Sequence, residues 1–506
     1  MSRIEGSPAE RGLITVSVML ATIMQALDTT IANVALPHMQ GSMGATQDQI
    51  AWVLTSYIVA AAICMPLTGF LTARFGRRQV FLVAVAGFTL ASMLCGAAQS
   101  LEQLVLFRLL QGVFGASLVP LSQSVLLDTY PREKHGSAMA LWGVGVMVGP
   151  ILGPSLGGWL TEYYNWRWVF YINLPFGLLA WWGIAACVRE TPLDLGRRFD
   201  LFGFALLGLA IGALQLCLDR GQSLDWFASR EIWIEAILAA LALYLFVAHM
   251  LTHPRPFLEP GLFRDRNFNV GLLLIFCVGI ILLATMALLP PFLQQLAGYP
   301  VLDVGFLLVP RGVGTMIGMM TVGALAQRVD LRWMIATGIV LIVVSLWEMT
   351  GFTRDIGVSE IVRTGVVQGL GLGLVFVPLS TLSFSTLAPR YRNEGTALFS
   401  LMRNIGSSIG ISVVVTLLAR NTQANHAAMS EFLTRDSYAL QQAIANGQLQ
   451  MDSALGLAQL NQLLTREAAT LAYLQDFRLM MWVALAGLPL LLLLRRPAAG
   501  TKVATG

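Results

Sequence analysis

Charge is what this 506-residue chain has least of: only 12% of its residues are Asp, Glu, Lys or Arg. An ordinary soluble protein carries about twice that share, so most of the length cannot be a solvated globular surface. Cysteine is also scarce. Cys64, Cys95, Cys187, Cys217 and Cys277 are odd in number, lie in or beside apolar stretches and lack metal-ligand spacing. They read as small packing residues rather than disulfides. The five histidines, at 38, 135, 249, 253 and 426, are scattered, mostly at the ends of apolar stretches, which gives no metal centre. No Walker-type phosphate loop is present, which argues against ATP as an energy source. No enzyme constellation emerges, so neither an enzyme nor a cofactor is expected. The net charge of +4 is no nucleic-acid footprint.

What the chain has in excess is apolar sequence: 56% of residues are hydrophobic and the mean hydropathy is +0.69. The excess comes in blocks of about 20 residues, enough to cross a ~30 Å hydrocarbon layer as helix. Lipid offers no partner to free N–H and C=O groups, so such blocks are helices. The pattern predicts an all-α polytopic membrane protein. Its first six spans lie near 13–35, 50–72, 79–98, 103–126, 137–160 and 167–188. Two more lie near 200–218 and 231–251, and six near 269–290, 304–325, 332–352, 358–383, 395–418 and 477–494. The polar start Met1–Arg11 runs directly into the first span, so no cleaved leader is expected. Cations collect after every second span, as at Arg74, Arg77 and Arg78, at Arg189, Arg197 and Arg198, and at Arg495 and Arg496. That side is expected to be cytoplasmic, with both termini there.

An internal repeat is visible. Gln111-Gly112, Pro120-Leu121-Ser122 and Gly136-Ser137-Ala138 recur as Gln368-Gly369, Pro378-Leu379-Ser380 and Gly395-Thr396-Ala397. Two related six-helix bundles are therefore expected, at 1–190 and 267–506, with two inserted spans in 191–266. Repeated bundles place a substrate at their interface near the bilayer midplane. One hydrophilic segment is large, Arg420–Asp476, on the outer side. Phe432, Leu433, Leu440, Ile444, Leu449, Leu455, Leu460, Leu463 and Leu464 recur there at near-helical intervals, predicting two or three amphipathic surface helices.

Polar residues inside the spans carry the functional signal. Gln25, Asp28, Thr29 and Asn33 are placed on one face of span 1. A carboxylate inside a span is costly; burial favours its neutral form, which suits a proton carrier. The alternative is a capping or packing Asp near the end of the span. Arg108 in span 4, with Gln111, Gly112 and Gly115, can stabilise an ionised Asp28 or organise its hydrogen bonds; a snorkelling Arg is the alternative. Gly145, Gly149, Gly153 and Gly157 of span 5 recur every four residues, with Pro150 and Pro154 between them, a signature of close helix contact. After span 2, Gly69, Arg74, Gly76, Arg77 and Arg78 form a tight cationic turn. Ser400, Arg403, Ser407 and Gly410 share one face of span 13, with Asn404 beside it. For Arg403, as for Arg311 of span 10, an organic-anion site and a structural pair are both open. Glu348 is a weaker acid candidate near the outer interface. Gln25, Asn33, Gln111, Trp142, Arg403 and Asn404 are the candidate cavity residues.

Taken together these motifs resemble the major facilitator superfamily, in particular its fourteen-span drug:proton antiporters of the EmrB/QacA type. The resemblance, strongest toward EmrB-like proteins, covers nearly the whole chain. Asp28 within Leu27–Pro37 matches the span-1 acidic motif, and Arg108 with Gln111-Gly112 matches the span-4 motif. Gly149, Gly153, Pro154, Gly157 and Gly158 match the antiporter motif of exporters. Trp166-Arg167-Trp168, Phe170, Asn173, Pro175 and Gly177 match the stretch that follows, and Leu218–Phe227 is EmrB-like. The resemblance implies a major facilitator fold and proton-coupled export of amphipathic drugs or similar small molecules across a bacterial inner membrane. It further implies a tripartite pump with a periplasmic adaptor and an outer-membrane channel. A stand-alone exporter of a metabolite or siderophore and a non-transporting sensor are the competing readings. The cytoplasmic loop motif departs from the family at Ala73, where an acid is expected, and its second copy at Gly323–Arg332 is more eroded. A charge lock between the halves that depends on that acid is not expected here.

Overall fold

The computed structural model describes residues 8–131, 134–194, 196, 198–326, 328–432, 441–442 and 454–494, and every regular element among them is helical. The first half runs α1 (Pro8–Met43), α2 (Gln47–Cys64), α3 (Leu67–Phe75), α4 (Arg77–Ala97), α5 (Leu101–Gly115), α6 (Leu118–Thr129), α7 (His135–Tyr163), α8 (Trp168–Tyr171) and α9 (Asn173–Cys187). An inserted hairpin follows, α10 (Leu201–Arg220) and α11 (Arg230–Thr252). The second half contains α12 (Arg266–Pro291), α13 (Val301–Leu325), α14 (Leu331–Met349), α15 (Val358–Ser385), α16 (Arg392–Glu431) and α17 (Ala454–Leu490). Among the described residues thirteen helices, some of them joined pairs, are long and apolar enough to cross a membrane, and the bent pair α2–α3 makes fourteen. These numbers agree with the fourteen spans read from the sequence.

Two expectations need correction. Span 2 is not one straight helix: it breaks at Pro66 and bends by 56° between Cys64 and Leu67. Proline lacks the N–H that would continue the ladder and clashes with the preceding turn. Nor are the flanks of the segment 420–476 separate surface helices. α16 continues span 13 to Glu431, and α17 begins at Ala454, well before the expected start of span 14. The two extensions pair side by side: Asn425 Nδ2 donates to the Ala468 carbonyl at 3.2 Å, and His426 and Asn461 are joined at 2.9 Å. Polar faces of these helices prolong the spans instead of folding back. Leu433, Leu440, Ile444 and Leu449 lie outside the described residues, as do Arg132, Arg197, Arg495 and Arg496.

The halves meet through α7 against α13 and α15, and through α3 and α6 against α16. Side-chain links between them gather at the arginine-rich end. Asp128 of α6 pairs with Arg77 of its own half and with Arg392 of α16. Asn393 Nδ2 donates to Thr72 Oγ1 at 3.0 Å, and its Oδ1 accepts from Ser124. Ser137 Oγ donates to the Gly323 carbonyl at 2.9 Å. These links do not use position 73: Asp128 supplies the carboxylate that joins the halves, and Asn393 adds neutral hydrogen bonds.

The hairpin sits along the seam between α2 and α16. Thr55 of α2 donates to Asp219. Gln215 Nε2 donates to Ser408 Oγ at 2.9 Å, Ser412 Oγ to the Leu218 carbonyl at 2.8 Å, and Trp226 Nε1 to Thr416 Oγ1 at 2.8 Å.

Candidate functional site

Asp28 lies inside the first half at 1% exposure, and so does Arg108. Arg108 Nη1 donates to Asp28 Oδ2 at 2.7 Å and to Gln111 Oε1 at 2.7 Å, while Gln111 Nε2 donates to Asp28 Oδ1 at 2.8 Å. Asn173 Nδ2 adds a bond to Asp28 Oδ1 at 2.9 Å and reaches Ser92 Oγ at 2.9 Å. Arg108 Nε donates to the Val53 carbonyl at 3.0 Å, and its guanidinium lies 4.4 Å from the centroid of Tyr57. Helical spacing brings Arg108 and Gln111 to one face of α5. Four helices (α1, α2, α5 and α9) therefore converge on one buried ion pair.

Removing two charges from water costs several kcal/mol per ion, recovered only when the remaining valences are hydrogen-bonded. Both Asp28 oxygens and the Arg108 Nε and Nη1 groups meet that condition here. Protonating Asp28 would remove the charge that Arg108, Gln111 and Asn173 are arranged around, leaving a buried guanidinium without a counter-ion. The arrangement can thus register one proton as a change in how tightly α1 is held to α5 and α9.

The other face of α1 rests on the glycines of α7. A Cβ at Gly149 would strike the backbone of Ala26, one at Gly153 would strike Thr30, and one at Gly157 would lie 3.3 Å from Val34 Cβ. Thr30 Oγ1 donates to the Gly149 carbonyl at 3.1 Å. A Cβ at Gly158, also in the motif, would meet nothing within 4 Å among the described residues outside its own helix backbone, and the side chain of Pro154 lies outside the described residues. At the arginine-rich end Gly76 has φ +88°, a left-handed conformation open to glycine. A Cβ there would collide with Glu190, whose carboxylate accepts from the Arg78 N–H at 3.0 Å and the Gln79 N–H at 3.3 Å. A Cβ at Gly69 would collide just as closely with Glu394 of α16, and Arg74 lies in the last turn of α3.

The candidate cavity residues divide. Gln111 belongs to the Asp28 network. Gln25 is partly buried, its Oε1 lacking a partner among the described residues, whereas Asn33 is exposed and donates to the Thr29 carbonyl at 3.3 Å. Trp142 is 1% exposed, donates to Ser122 Oγ at 2.9 Å and stacks on Phe376 at 5.9 Å. Arg403 lies over the same Phe376 at 5.9 Å, and Asn404 beside it is partly buried. Arg311 donates to the Leu282 carbonyl at 3.1 Å. Glu348 meets Arg363 at 3.5 Å. Asp476, expected to close the outer segment, is instead 1% exposed within the second half, and neither oxygen has a hydrogen-bond partner among the described residues.

Sequence reasoning did not find Ser92, Tyr57 or Asp128, and it found Asn173 only through the resemblance. Asn173 opens α9, and an amide within an apolar span was the available signal. Nothing in the sequence pointed Asp128 across the interface.

A multi-span helical protein with a repeated half and a buried acid–cation network in one half has the build of a secondary transporter. The family model of the Major Facilitator Superfamily matches residues 18–411, and the chain belongs to that superfamily. The fatty acid resistance protein FarB of Neisseria gonorrhoeae is 37% identical, over 86% of this chain and 88% of its own length. The multidrug export protein EmrB of Escherichia coli strain K12 is 37% identical, over 84% and 83%. A multidrug resistance protein B homolog of Mycobacterium tuberculosis is 33% identical over 81% and 76%. The crystal structure of the human organic anion transporter MFSD10 matches with a TM-score of 0.59 at 16% identity, covering 94% of this chain and 100% of that one; that likeness concerns the fold. The chain is an efflux transporter with small-molecule substrates and is not an enzyme.

Proposed function

We propose that this transporter exports amphipathic small molecules in exchange for protons, and that Asp28 carries the proton. The observation behind this reading is the convergence of Arg108, Gln111 and Asn173 on the Asp28 carboxylate. Protonation of Asp28 weakens the bond between α1 and α5–α9. The glycine contact then passes the movement of α1 to α7, which packs on the opposite half. The arginine-rich end, joined through Asp128 and Asn393, is the cytoplasmic one, and both termini lie there. The bundles 1–190 and 267–506 rock about the interface that holds Trp142, Arg403 and Asn404. Relatives named for multidrug export and fatty acid resistance support an amphipathic substrate. The motif resemblance to EmrB-type antiporters supports action in a bacterial inner membrane with a periplasmic adaptor and an outer-membrane channel.

Asp28→Asn tests the reading. The variant is expected to insert and fold, because the amide keeps one acceptor, yet to lose substrate-evoked proton release in proteoliposomes by more than about tenfold. Wild-type release from that variant would remove Asp28 from the coupling step.

A further inference from the structure

The second half repeats the first with one member missing. The same interval along the chain separates Gln111 from Gln368, Gly112 from Gly369 and Asp28 from Thr285. The geometry keeps the correspondence: Gln111 Nε2 donates to Asp28, and Gln368 Nε2 donates to Thr285 Oγ1 at 3.3 Å. Gly112 packs on the Tyr57 carbonyl as Gly369 packs on the Arg311 carbonyl. At the position of Arg108 the second half has Gly365, and a Cβ there would lie 3.6 Å from Arg311 Cβ. The guanidinium has thus moved to the neighbouring helix, while the carboxylate has become a threonine.

The cation left behind is poorly satisfied. Arg311 is 6% exposed, and among the described residues its Nη1 has no hydrogen-bond partner and it makes no ion pair. Gln368 Oε1 is also without a partner among the described residues, and its Nε2 is 3.3 Å from Thr285 Oγ1. A buried, uncompensated guanidinium is costly unless an anion completes it. Arg403, one helix away, makes no ion pair or side-chain hydrogen bond among the described residues and faces Phe376. Both cations therefore favour the same sign of ligand.

We infer that the second half binds an acid-bearing amphipathic molecule whose anionic group takes, at Arg311 and Gln368, the place that the Asp28 carboxylate holds in the first half. Phe376 lies two turns along α15 from Gln368, about 12 Å. The apolar body therefore extends toward the Phe376–Trp142 stack at the interface between the halves, where Arg403 faces the ring. This assignment rests on the export reading and narrows it to a substrate class.

The test uses the full chain in zwitterionic lipid nanodiscs, with dodecanoate, dodecanol and dodecylammonium as probes that differ only in head group. Binding is measured by calorimetry and corrected for empty nanodiscs. Wild type is expected to prefer dodecanoate over dodecanol by about tenfold or more. Arg311→Gln should lose the preference, and Arg311→Lys should keep most of it. Thr285→Asp supplies the missing carboxylate, so it should fold with a raised Tm and lose dodecanoate preference. Equal binding of all three probes to wild type, or an intact preference in Thr285→Asp, would overturn the inference. The two readings fail separately. Proton-coupled flux without head-group preference removes the anion site and leaves the antiporter. Head-group preference that depends on Arg311, without coupled flux, does the reverse.

Discussion

Thr30 Oγ1 donates to the Gly149 carbonyl at 3.1 Å, and Gly149 leaves no room for a Cβ against the Ala26 backbone, so α1 and α7 pack closely two residues to either side of Asp28. A side chain at Gly153 would enter Thr30. Gly153→Leu is expected to force the helices apart and reduce transport by more than about tenfold, with the protein still in the membrane. Gly158→Leu, where a Cβ meets nothing within 4 Å, should transport normally. Equal effects of the two in a vesicle flux assay would show that the contact with α1 is not what matters.

Arg108 uses two different nitrogens for three partners, the Val53 carbonyl, Asp28 and Gln111. A lysine ammonium on its flexible stem cannot hold that fork. Arg108→Lys should lower transport by about tenfold or more. Arg108→Gln should cost about 3–5 kcal/mol of stability, because Asp28 is left charged and unpaired. A thermal-shift series with parallel flux measurements separates the two effects; unchanged turnover in Arg108→Lys would reduce the residue to a generic charge.

Asp128 holds Arg77 and Arg392 together across the arginine-rich end. Without it the two cations repel. In a Ser124→Cys/Asn393→Cys background, whose side chains face each other, adding Asp128→Ala should slow disulfide crosslinking severalfold. An unchanged rate would mean that this end stays closed by packing alone.

Asp200 caps α10. Burial pushes its carboxyl upward, but the Gly203 N–H, His249 and the Phe257 N–H outweigh that and hold it below the ordinary aspartate value. A carboxyl lowered on folding stabilises above its unfolded value, and that stabilisation fades as pH falls through the folded value. Asp200→Asn should therefore lower Tm at neutral pH, with the difference from wild type shrinking on acidification. A difference independent of pH would assign the effect to lost hydrogen-bond geometry.

Joining α16 to α17 by a short Gly/Ser linker in place of residues 433–453 should preserve transport in vesicles, since Asn425, His426, Asn461 and Ala468 keep the extensions paired. If an adaptor docks on this segment, the same change removes adaptor co-purification and drug resistance in intact cells. Lost transport in vesicles would make the segment part of the pump itself.

The spans were legible because hydrocarbon leaves the backbone one solution, and the repeat because Gln-Gly and Pro-Leu-Ser mark equivalent turns in both halves. Asp28 and Arg108 were legible as costly residues in apolar surroundings. That they bind one another was one of two open readings, since sequence gives no distance between spans. The break at Pro66 looked like one of many prolines, and several of those, such as Pro37 and Pro310, lie inside unbroken helices. Asp476 misled because its neighbours Gln475 and Arg478 are exposed, so that a polar run concealed one buried acid. Asp128 replaces the loop acid that Ala73 lacks from a different helix, a substitution only three-dimensional proximity reveals.

The hairpin α10–α11 makes the protein's two lipid-facing seams unequal. Along α2 and α16 it adds a second layer of helix, stitched to both halves by Thr55, Ser408, Ser412 and Thr416. Along α7 and α13 no such cover exists among the described residues, and Leu141, Leu152, Val313, Ile317 and Met320 are exposed. A molecule already dissolved in the bilayer thus faces a wall on one flank and a single file of side chains on the other. The twofold character of the repeat is lost at the membrane surface, and the transporter acquires a front and a back.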